Sequence, residues 1–341
     1  MKKNLFYYVC AIAFVFTISS CSVSEDDTVS IKQNPQYEVT TGYVGFMSSV
    51  DSLNSVYLSG ITQNQTRAVG KYLRNNFAES IADNGGRLIG GYLGRNIGCV
   101  IGGITGSPIG AIGGYVVGRW AGRIVGSVVA SYGASCLFNS PVNRNINDSD
   151  SFKITYYLPN DCETVDDSIG YYHNLVMSEL AAHHEKYVDD NGNPDFELIY
   201  DDCVNILKEN GIYTKDVSQD VNFKKEVISY AKDNYCLSNE FKCGNISDEL
   251  FKTKLVEDVK SRGLSEEDIA VFSDYAMKIT ETCVELPLDS KIEYANGLNN
   301  VILSSSMDDE MKEELRSATN LMVNSCLLYT SDAADDRISV D

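Results

Sequence analysis

The chain has 341 residues, which is long enough to bury one or two hydrophobic cores. Its 48 acidic side chains outnumber 28 basic ones and give a formal net charge of −20. This acidic balance, with no basic patch to offset it, argues against a nucleic-acid partner.

The N-terminal segment, residues 1–20, has the pattern of a bacterial secretion signal. Lys2 and Lys3 precede an apolar run from Leu5 to Ile18. The run ends in the sequence TISSC, which resembles a lipobox, and the resemblance implies cleavage before Cys21 and lipid on its thiol and amine. The alternative is an ordinary signal peptide with a chance cysteine. The acidic run Ser22–Asp27 resembles the tag that sends Bacteroidota lipoproteins to the cell surface. We therefore expect a lipid-anchored protein of the cell envelope, at the outer membrane and exposed on the surface.

Two segments of different character follow the lipobox. Residues 21–63 are polar and predict a tether with little regular structure. Residues 64–84 predict a lead-in helix, because apolar side chains recur there at helical spacing.

A row of eleven glycines, each four residues from the next, dominates the following stretch. These glycines are predicted to be helix-packing residues: Gly86, Gly90, Gly94, Gly98, Gly102, Gly106, Gly110, Gly114, Gly118, Gly122 and Gly126. Glycine inside a helix costs roughly 1 kcal/mol relative to alanine, so close approach of two helix backbones must offset the row. Gly106-Ser107-Pro108 combines helix-end and helix-start signals. The row therefore predicts a helical hairpin, 85–136, with arms of roughly 86–106 and 109–135.

The hairpin could cross a bilayer, since each arm reaches about 30 Å at 1.5 Å per residue. No charged residue occurs between Arg95 and Arg119, whereas Arg87 and Arg123 lie closer to its base. A flexible linker, a β-structure and a soluble buried hairpin are the competing interpretations. The signal and the hairpin together resemble the glycine-zipper outer-membrane lipoprotein family. That resemblance implies membrane lipid as a partner and self-association through the hairpin.

The rest of the chain predicts an acidic multi-helix domain. A linker covers 137–160, with a short strand predicted at Ile154–Leu158, and the helical domain covers 161–325. Its predicted helices are 165–180, 196–207, 227–231, 250–259, 269–279, 288–303 and 308–323, with Gly211, Gly263 and Pro287 as end signals. The fold class is therefore all-α, a glycine-zipper hairpin plus an acidic helical domain. Gly170 to Asn174 resembles a Gly-x-x-His-Asn run in uncharacterised Bacteroidota lipoproteins, which implies no activity.

No residue pattern indicates catalysis, a metal or a cofactor. His183 and His184 are adjacent and so point to different helix faces, and His173 fits a half-buried histidine. The acidic stretch 189–195 fails calcium-loop spacing and is better explained as a turn. Cys236 and Cys243 flank a turn-like segment and could form a disulfide, although buried free thiols fit equally well.

Residues 326–341 are predicted to have a different origin from the rest of the chain. Cys326 to Asp335 resembles the translation of a transposon-end sequencing adapter, and the alternative is a genuine disordered acidic tail.

The pattern as a whole predicts a non-enzymatic, lipid-anchored envelope protein. Its hairpin packs in or on the membrane, and its helical domain is an interaction module for a protein partner that the sequence does not identify. The alternative function is a membrane-active toxin or bacteriocin-like factor, with the hairpin as the inserting element.

Overall fold

The computed structural model describes residues 36–59, 61, 67–104, 108–134, 156–159, 164–212 and 214–338. About 85% of the described residues are helical, which confirms the all-α fold class. The described residues form no strand, only an isolated bridge between Val188 and Pro194. The contacts discussed below lie in the compact unit Thr40–Asp341.

The helices follow one another along the chain with short connections. They are α1 Gln36–Ser59, α2 Arg67–Ile104, α3 Pro108–Ala134, α4 Ile169–Ala182, α5 Phe196–Glu209, α6 Lys215–Gln219, α7 Val221–Lys242, α8 Asp248–Ser261, α9 Glu266–Ala270, α10 Met277–Glu285, α11 Leu288–Ser304 and α12 Asp309–Ile338. A 3₁₀ turn at Val165–Ser168 leads into α4, and another spans His184–Tyr187. A π-helical turn, Val271–Ala276, joins α9 to α10.

Two predicted segments differ from the structure. The prediction of a tether with little regular structure over 21–63 is wrong for Gln36–Ser59, which form α1. Tertiary contacts explain the difference, because the Phe46 ring lies 5.4 Å from the Tyr275 ring and Tyr294 donates to Asn54. Tyr156 to Leu158 are not a strand, which corrects the part of the predicted strand that the structure describes.

The lead-in helix and the first hairpin arm are one continuous helix. The prediction placed a boundary near residue 85, whereas α2 runs without a break through Gly85 and Gly86. Packing requires both glycines. A Cβ at Gly85 would lie 1.8 Å from the hydroxyl oxygen of Tyr230, and one at Gly86 would lie 2.2 Å from the carbonyl oxygen of Gly126. The glycines therefore serve packing against other helices and do not end this one.

Helices α2 and α3 pack antiparallel with their backbones in direct contact. A Cβ built at Gly90 would lie 2.0 Å from the carbonyl oxygen of Gly122, and one at Gly94 would lie 2.1 Å from that of Gly118. No side chain fits at such distances. The pairs 86–126, 90–122 and 94–118 set the register of the hairpin.

The part of the hairpin next to these pairs lies inside the helical domain. Side chains of α3 from Ala121 to Tyr132 share one apolar cluster with α4, α5 and α7. Phe77, Ile81 and Ile89 of α2 share another with α7, α8 and the π-helical turn. The hairpin and the helical domain are therefore built around common cores.

The helix ends of the domain follow their local sequence signals. Gly211 and Gly263 have φ of +81° and +82°, the left-handed conformation that glycine adopts after a helix. Ser265 caps α9 by accepting from the Asp268 amide at 3.1 Å. Within the described ranges, no helix combines the length and the apolar character needed to cross a membrane.

Candidate functional site: an arginine–carboxylate cluster on the hairpin

The predicted helix-packing glycines are described to different extents. Gly86, Gly90, Gly94, Gly118, Gly122 and Gly126 lie at the contact of α2 and α3. A Cβ built at Gly118 would lie 3.1 Å from the Gly98 Cα, so Gly98 lies next to the pair 94–118. Gly102, Gly110 and Gly114 are helical, with nothing described beyond the backbone, and Gly106 and the lipid-attachment residue Cys21 lie outside the described residues.

The hairpin arginines occupy equivalent positions beside the glycine row. Arg87, Arg95, Arg119 and Arg123 each directly follow a row glycine. One residue along a helix is a rotation of about 100°, so each arginine lies on the flank of its helix next to the packed face. In an antiparallel pair of right-handed helices, this rotation places all four on the same side of the hairpin.

Glu314 of α12 binds three of these arginines. Its Oε2 accepts from Arg87 Nη1 at 2.9 Å, and its Oε1 accepts from Arg119 Nη2 at 2.5 Å and from Arg123. The Arg87 side chain is fully buried, and Ser317 accepts a further hydrogen bond from it at 3.0 Å. A single carboxylate from a distant part of the chain thus joins both arms of the hairpin.

The 3₁₀ turn before α4 completes the cluster. Asp166 accepts from Arg123 at 2.5 Å, and Asp167 accepts from Arg316 of α12 at 2.9 Å. Glu313 lies 3.5 Å from Arg119. We call this set the arginine–carboxylate cluster, and it contains four arginines and four carboxyl groups: Arg87, Arg119, Arg123, Arg316, Asp166, Asp167, Glu313 and Glu314. The cluster therefore contains as many acidic groups as basic groups.

The pKa values of the two glutamates in the cluster are shifted in opposite directions. Burial favours the neutral form of Glu314, but Arg123, Arg87 and Arg119 together outweigh burial and hold its pKa well below the usual range. Burial and the neighbouring Asp166 raise the pKa of Glu313 to about 7, against the effect of Arg119 and Arg123. Glu314 is thus a fixed anion, whereas Glu313 exchanges a proton near neutral pH.

A second polar group lies deeper against α2. His173 Nε2 is 3.4 Å from Asp83 Oδ2, and His173 Nδ1 is 3.0 Å from the Asn174 side-chain oxygen. Burial lowers the pKa of His173 to about 4, so the ring is neutral at pH 7. Burial also raises the pKa of Asp83 well above its usual range. The prediction of a half-buried His173 is wrong, since its side chain is fully buried.

The predicted disulfide does not form in the structure. Cys236 lies inside α7 and Cys243 caps its C-terminal end, and both are free thiols. Seven residues along a helix separate two Cα atoms by about 10 Å, which is beyond the reach of a disulfide. The expected turn between them is helix.

The remaining candidate residues serve local structure. The acidic stretch 189–195 is a turn in which Asp189 Oδ1 accepts from the backbone amides of Asn191 and Asn193, each at 2.8 Å. His183 caps the end of α4, and His184 begins the following 3₁₀ turn. In the suspected tail, Cys326 to Leu328 are buried in the core as part of α12, so the alternative of a disordered tail is wrong for these residues. The adapter origin of the segment stays a prediction.

The described part of the chain contains no group of three histidine, cysteine or acidic side chains arranged to hold a metal ion. Comparison with protein-family models finds no match to this chain, and comparisons with curated proteins and with solved structures find none either. The resemblance to glycine-zipper lipoproteins therefore stays a prediction.

The sequence did not predict the arginine–carboxylate cluster, although the positions of its hairpin arginines form a local pattern. The repeated Gly-Arg pairs at 86–87, 94–95, 118–119 and 122–123 indicate a positive side of the hairpin. Glu314 follows Arg123 by 191 residues, and nothing in its own helix distinguishes it from the other carboxylates of α12. Only the fold brings the two together.

Proposed function

We propose that this protein is a non-enzymatic, lipid-anchored protein of the bacterial cell envelope. The hairpin is its structural spine, with one end held inside the helical domain and the other end presented at a membrane. The helical domain is an interaction module on that spine.

The distribution of charge along the hairpin carries this proposal. Arg87, Arg119 and Arg123 are paired inside the helical domain, and Arg95 lies 3.9 Å from Asp268. The sequence from Asn96 to Gly118 contains no charged residue. The cations that would oppose contact with lipid are thus confined to the enclosed end, since an arginine at the centre of a membrane helix costs about 2.5–3.5 kcal/mol on insertion scales.

The signal segment before Cys21 directs the chain to the cell envelope. The helical domain supplies an acidic surface for a protein partner. The glycines of the three described pairs are occupied within the chain. Self-association through the hairpin would therefore use another of its faces.

Lipid labelling tests the anchor directly. Cells that express the wild-type chain or Cys21→Ala are grown with labelled palmitate, and their membranes are separated. We expect label and membrane association with Cys21 and loss of label in the variant. A wild-type chain that stays unlabelled and soluble contradicts the proposal.

A membrane-active toxin is the second candidate, and the arginine–carboxylate cluster favours it. The cluster holds the hairpin inside the domain, and Glu313 gains a proton as the pH falls through about 7. Because the folded chain raises the pKa of Glu313, the folded state favours the protonated acid, and release of the hairpin should become easier as the pH rises through about 7. Dye leakage from liposomes, measured in acid and at neutral pH, tests this function. Micromolar protein that causes no leakage at either pH removes it.

A further inference from the structure

Helix α7 presents two thiols to solvent, and both lie on its outer face. Cys236 and Cys243 are exposed, whereas Cys203 and Cys283 are buried in the cores. Seven residues are close to two turns of an α-helix, so the two exposed side chains differ by only about 20° around the helix axis. The two thiols therefore point in the same direction, about 10 Å apart along the helix.

These two thiols need partners from outside their own helix. The α-helix that holds Cys236 and Cys243 apart rules out a bond between them within one chain. Disulfides form and persist in oxidising compartments, and the cell envelope is one of these. An exposed, unpaired cysteine in an exported protein indicates pairing between chains or a reactive thiol.

We propose that the outer face of α7 is an interface between two copies of this chain, which two disulfides join in the oxidising envelope of the function proposed above. The two helices run antiparallel across a two-fold axis, so Cys236 of each copy bonds to Cys243 of the other. A second copy is the occupant because it presents the same two thiols at the same spacing and in reverse order. One two-fold contact then satisfies all four thiols.

The dimensions of packed helices suit these bonds. Helix axes pack about 8–10 Å apart, and each Cα lies about 2.3 Å from its own axis. At an axial distance of about 10 Å, facing Cα atoms are about 5.4 Å apart, which is within the roughly 4.4–6.8 Å that disulfides span. Formation of one bond makes the other intramolecular, so the doubly linked dimer is favoured over a single link.

The charges on the outer face favour the antiparallel arrangement. The two-fold axis passes between Asn239 and Glu240, so the carboxylate of one copy lies opposite the amide of the other. In a parallel pair, Lys232 and Glu240 would each lie opposite the same residue, and like charges opposed in this way disfavour a contact. Lys254 of α8 lies 3.7 Å from Glu240, and the exposed Lys225 lies on the same face. The chain's net charge of −20 is therefore not concentrated at this interface.

Each bond forms by thiol–disulfide exchange with an oxidant that carries a disulfide. The Cys243 thiolate attacks one sulfur of that disulfide, and the other sulfur leaves as a thiolate. The Cys236 thiolate of the second copy then attacks the Cys243 sulfur of the mixed disulfide and releases the oxidant's remaining thiolate. Two protein thiols thus lose two electrons and two protons, and the oxidant's disulfide takes them up and becomes two thiols.

Serine variants test the pairing in the full chain, purified with Cys21→Ala to remove the lipid-attachment thiol. The chain is incubated with glutathione disulfide, and cross-links are identified on non-reducing gels and by mass spectrometry of the linked peptides. We expect a dimer linked through Cys236 and Cys243. Neither Cys236→Ser nor Cys243→Ser should form it alone, because the remaining thiol faces a serine. An equimolar mixture of these two variants should form it, through the one thiol that each retains.

A chain with a displaced thiol measures the rate of chance collision. It carries Cys236→Ser, Cys243→Ser and Lys225→Cys, so its thiol lies on the same exposed face but away from the two-fold axis. The mixture should cross-link at least about tenfold faster than this control, since only the mixture holds its thiols in bonding positions. A mixture no faster than the control, or either serine variant cross-linking alone as fast as the mixture, overturns the inference. Circular dichroism checks that every variant is folded.

Cells distinguish the interface from the lipid anchor. Wild-type chain that incorporates labelled palmitate but keeps Cys236 and Cys243 open to alkylation overturns the interface and leaves the anchor standing. Chain that takes up no palmitate but carries both predicted cross-links contradicts the anchor and supports the interface.

Discussion

Substitution of Gly122 by alanine tests whether contact between backbones holds the hairpin together. A Cβ at this position would lie 2.1 Å from the carbonyl oxygen of Gly90 and 3.2 Å from the Cα of Gly94. Ordinary contact begins at 3.4 Å, so the two helices must part by about 1.3 Å. A gap of 0.5–1 Å already removes about a quarter to a half of the dispersion attraction.

The net effect is the difference between two opposing contributions. Alanine improves helix propensity by about 1 kcal/mol, whereas overpacking against a rigid backbone costs typically about 1–3 kcal/mol and sometimes more. Because the clash is with a carbonyl group and the strain spreads to neighbouring glycine pairs, we expect a cost at the upper end of this range and a net loss of about 2 kcal/mol. At roughly 1.5 °C per kcal/mol for a unit of this size, the melting temperature should fall by about 3 °C.

Gly45→Ala is the matched control in α1. It is also a helical glycine, but no atom lies within 4 Å of a Cβ at that position. Propensity alone should therefore stabilise this variant, by up to about 1 kcal/mol. Urea unfolding followed by circular dichroism and by Trp120 emission gives both free energies. If Gly122→Ala is as stable as Gly45→Ala, the close-packing argument is refuted.

Two further predictions concern the arginine–carboxylate cluster. Glu314→Gln leaves three enclosed arginines without their shared carboxylate and should cost about 3–5 kcal/mol in urea unfolding. Glu281→Gln removes a solvent-accessible partner of Lys252, so it should cost less than about 1 kcal/mol, and equal losses would refute the cluster's role. The pKa of Glu313 is raised from its usual 4.5 to about 7, so the folded state favours the protonated acid, and stability should fall as pH rises between those values. Glu313→Gln should remove this part of the pH profile, whereas an unchanged difference between variant and wild type from pH 4.5 to 7 would contradict it. The comparison with the variant is needed because the lowered pKa of His173 has the opposite effect and makes the stability of the wild type rise with pH in the acid range.

Local sequence signals predicted much of the helical domain. Gly211 and Gly263 act through their own backbone geometry, so the sequence around each glycine is enough to predict the helix end. Helix α1 depends instead on distant contacts such as Asn54 with Tyr294, which are 240 residues apart. The need for a glycine at position 85 of α2 also depends on a distant residue, Tyr230 of α7. Segments stabilised in this way carry no local signal strong enough to predict them.

The candidate site was also predictable only in part. The period of four predicted the packing of the six row glycines that are described at the contact of α2 and α3, because a repeat along one helix face is a local property. Burial of Glu314 and the raised pKa of Glu313 arise where α12 meets the hairpin and the 3₁₀ turn. These properties belong to an arrangement of elements far apart in sequence, so neither follows from the glycine repeat.

The glycine row and the arginine–carboxylate cluster are consequences of one geometry. Two backbones in contact leave no space between them, so the residue after each glycine must lie on the flank of its helix. Where that residue is Arg87, Arg119 or Arg123, the surrounding helices must supply carboxylates, because an unpaired buried charge is strongly destabilising. The enclosed end of the hairpin therefore requires α12 and the 3₁₀ turn in order to fold, and it should unfold together with them in one transition. The sequence from Asn96 to Gly118 has no charge, so it makes no such demand.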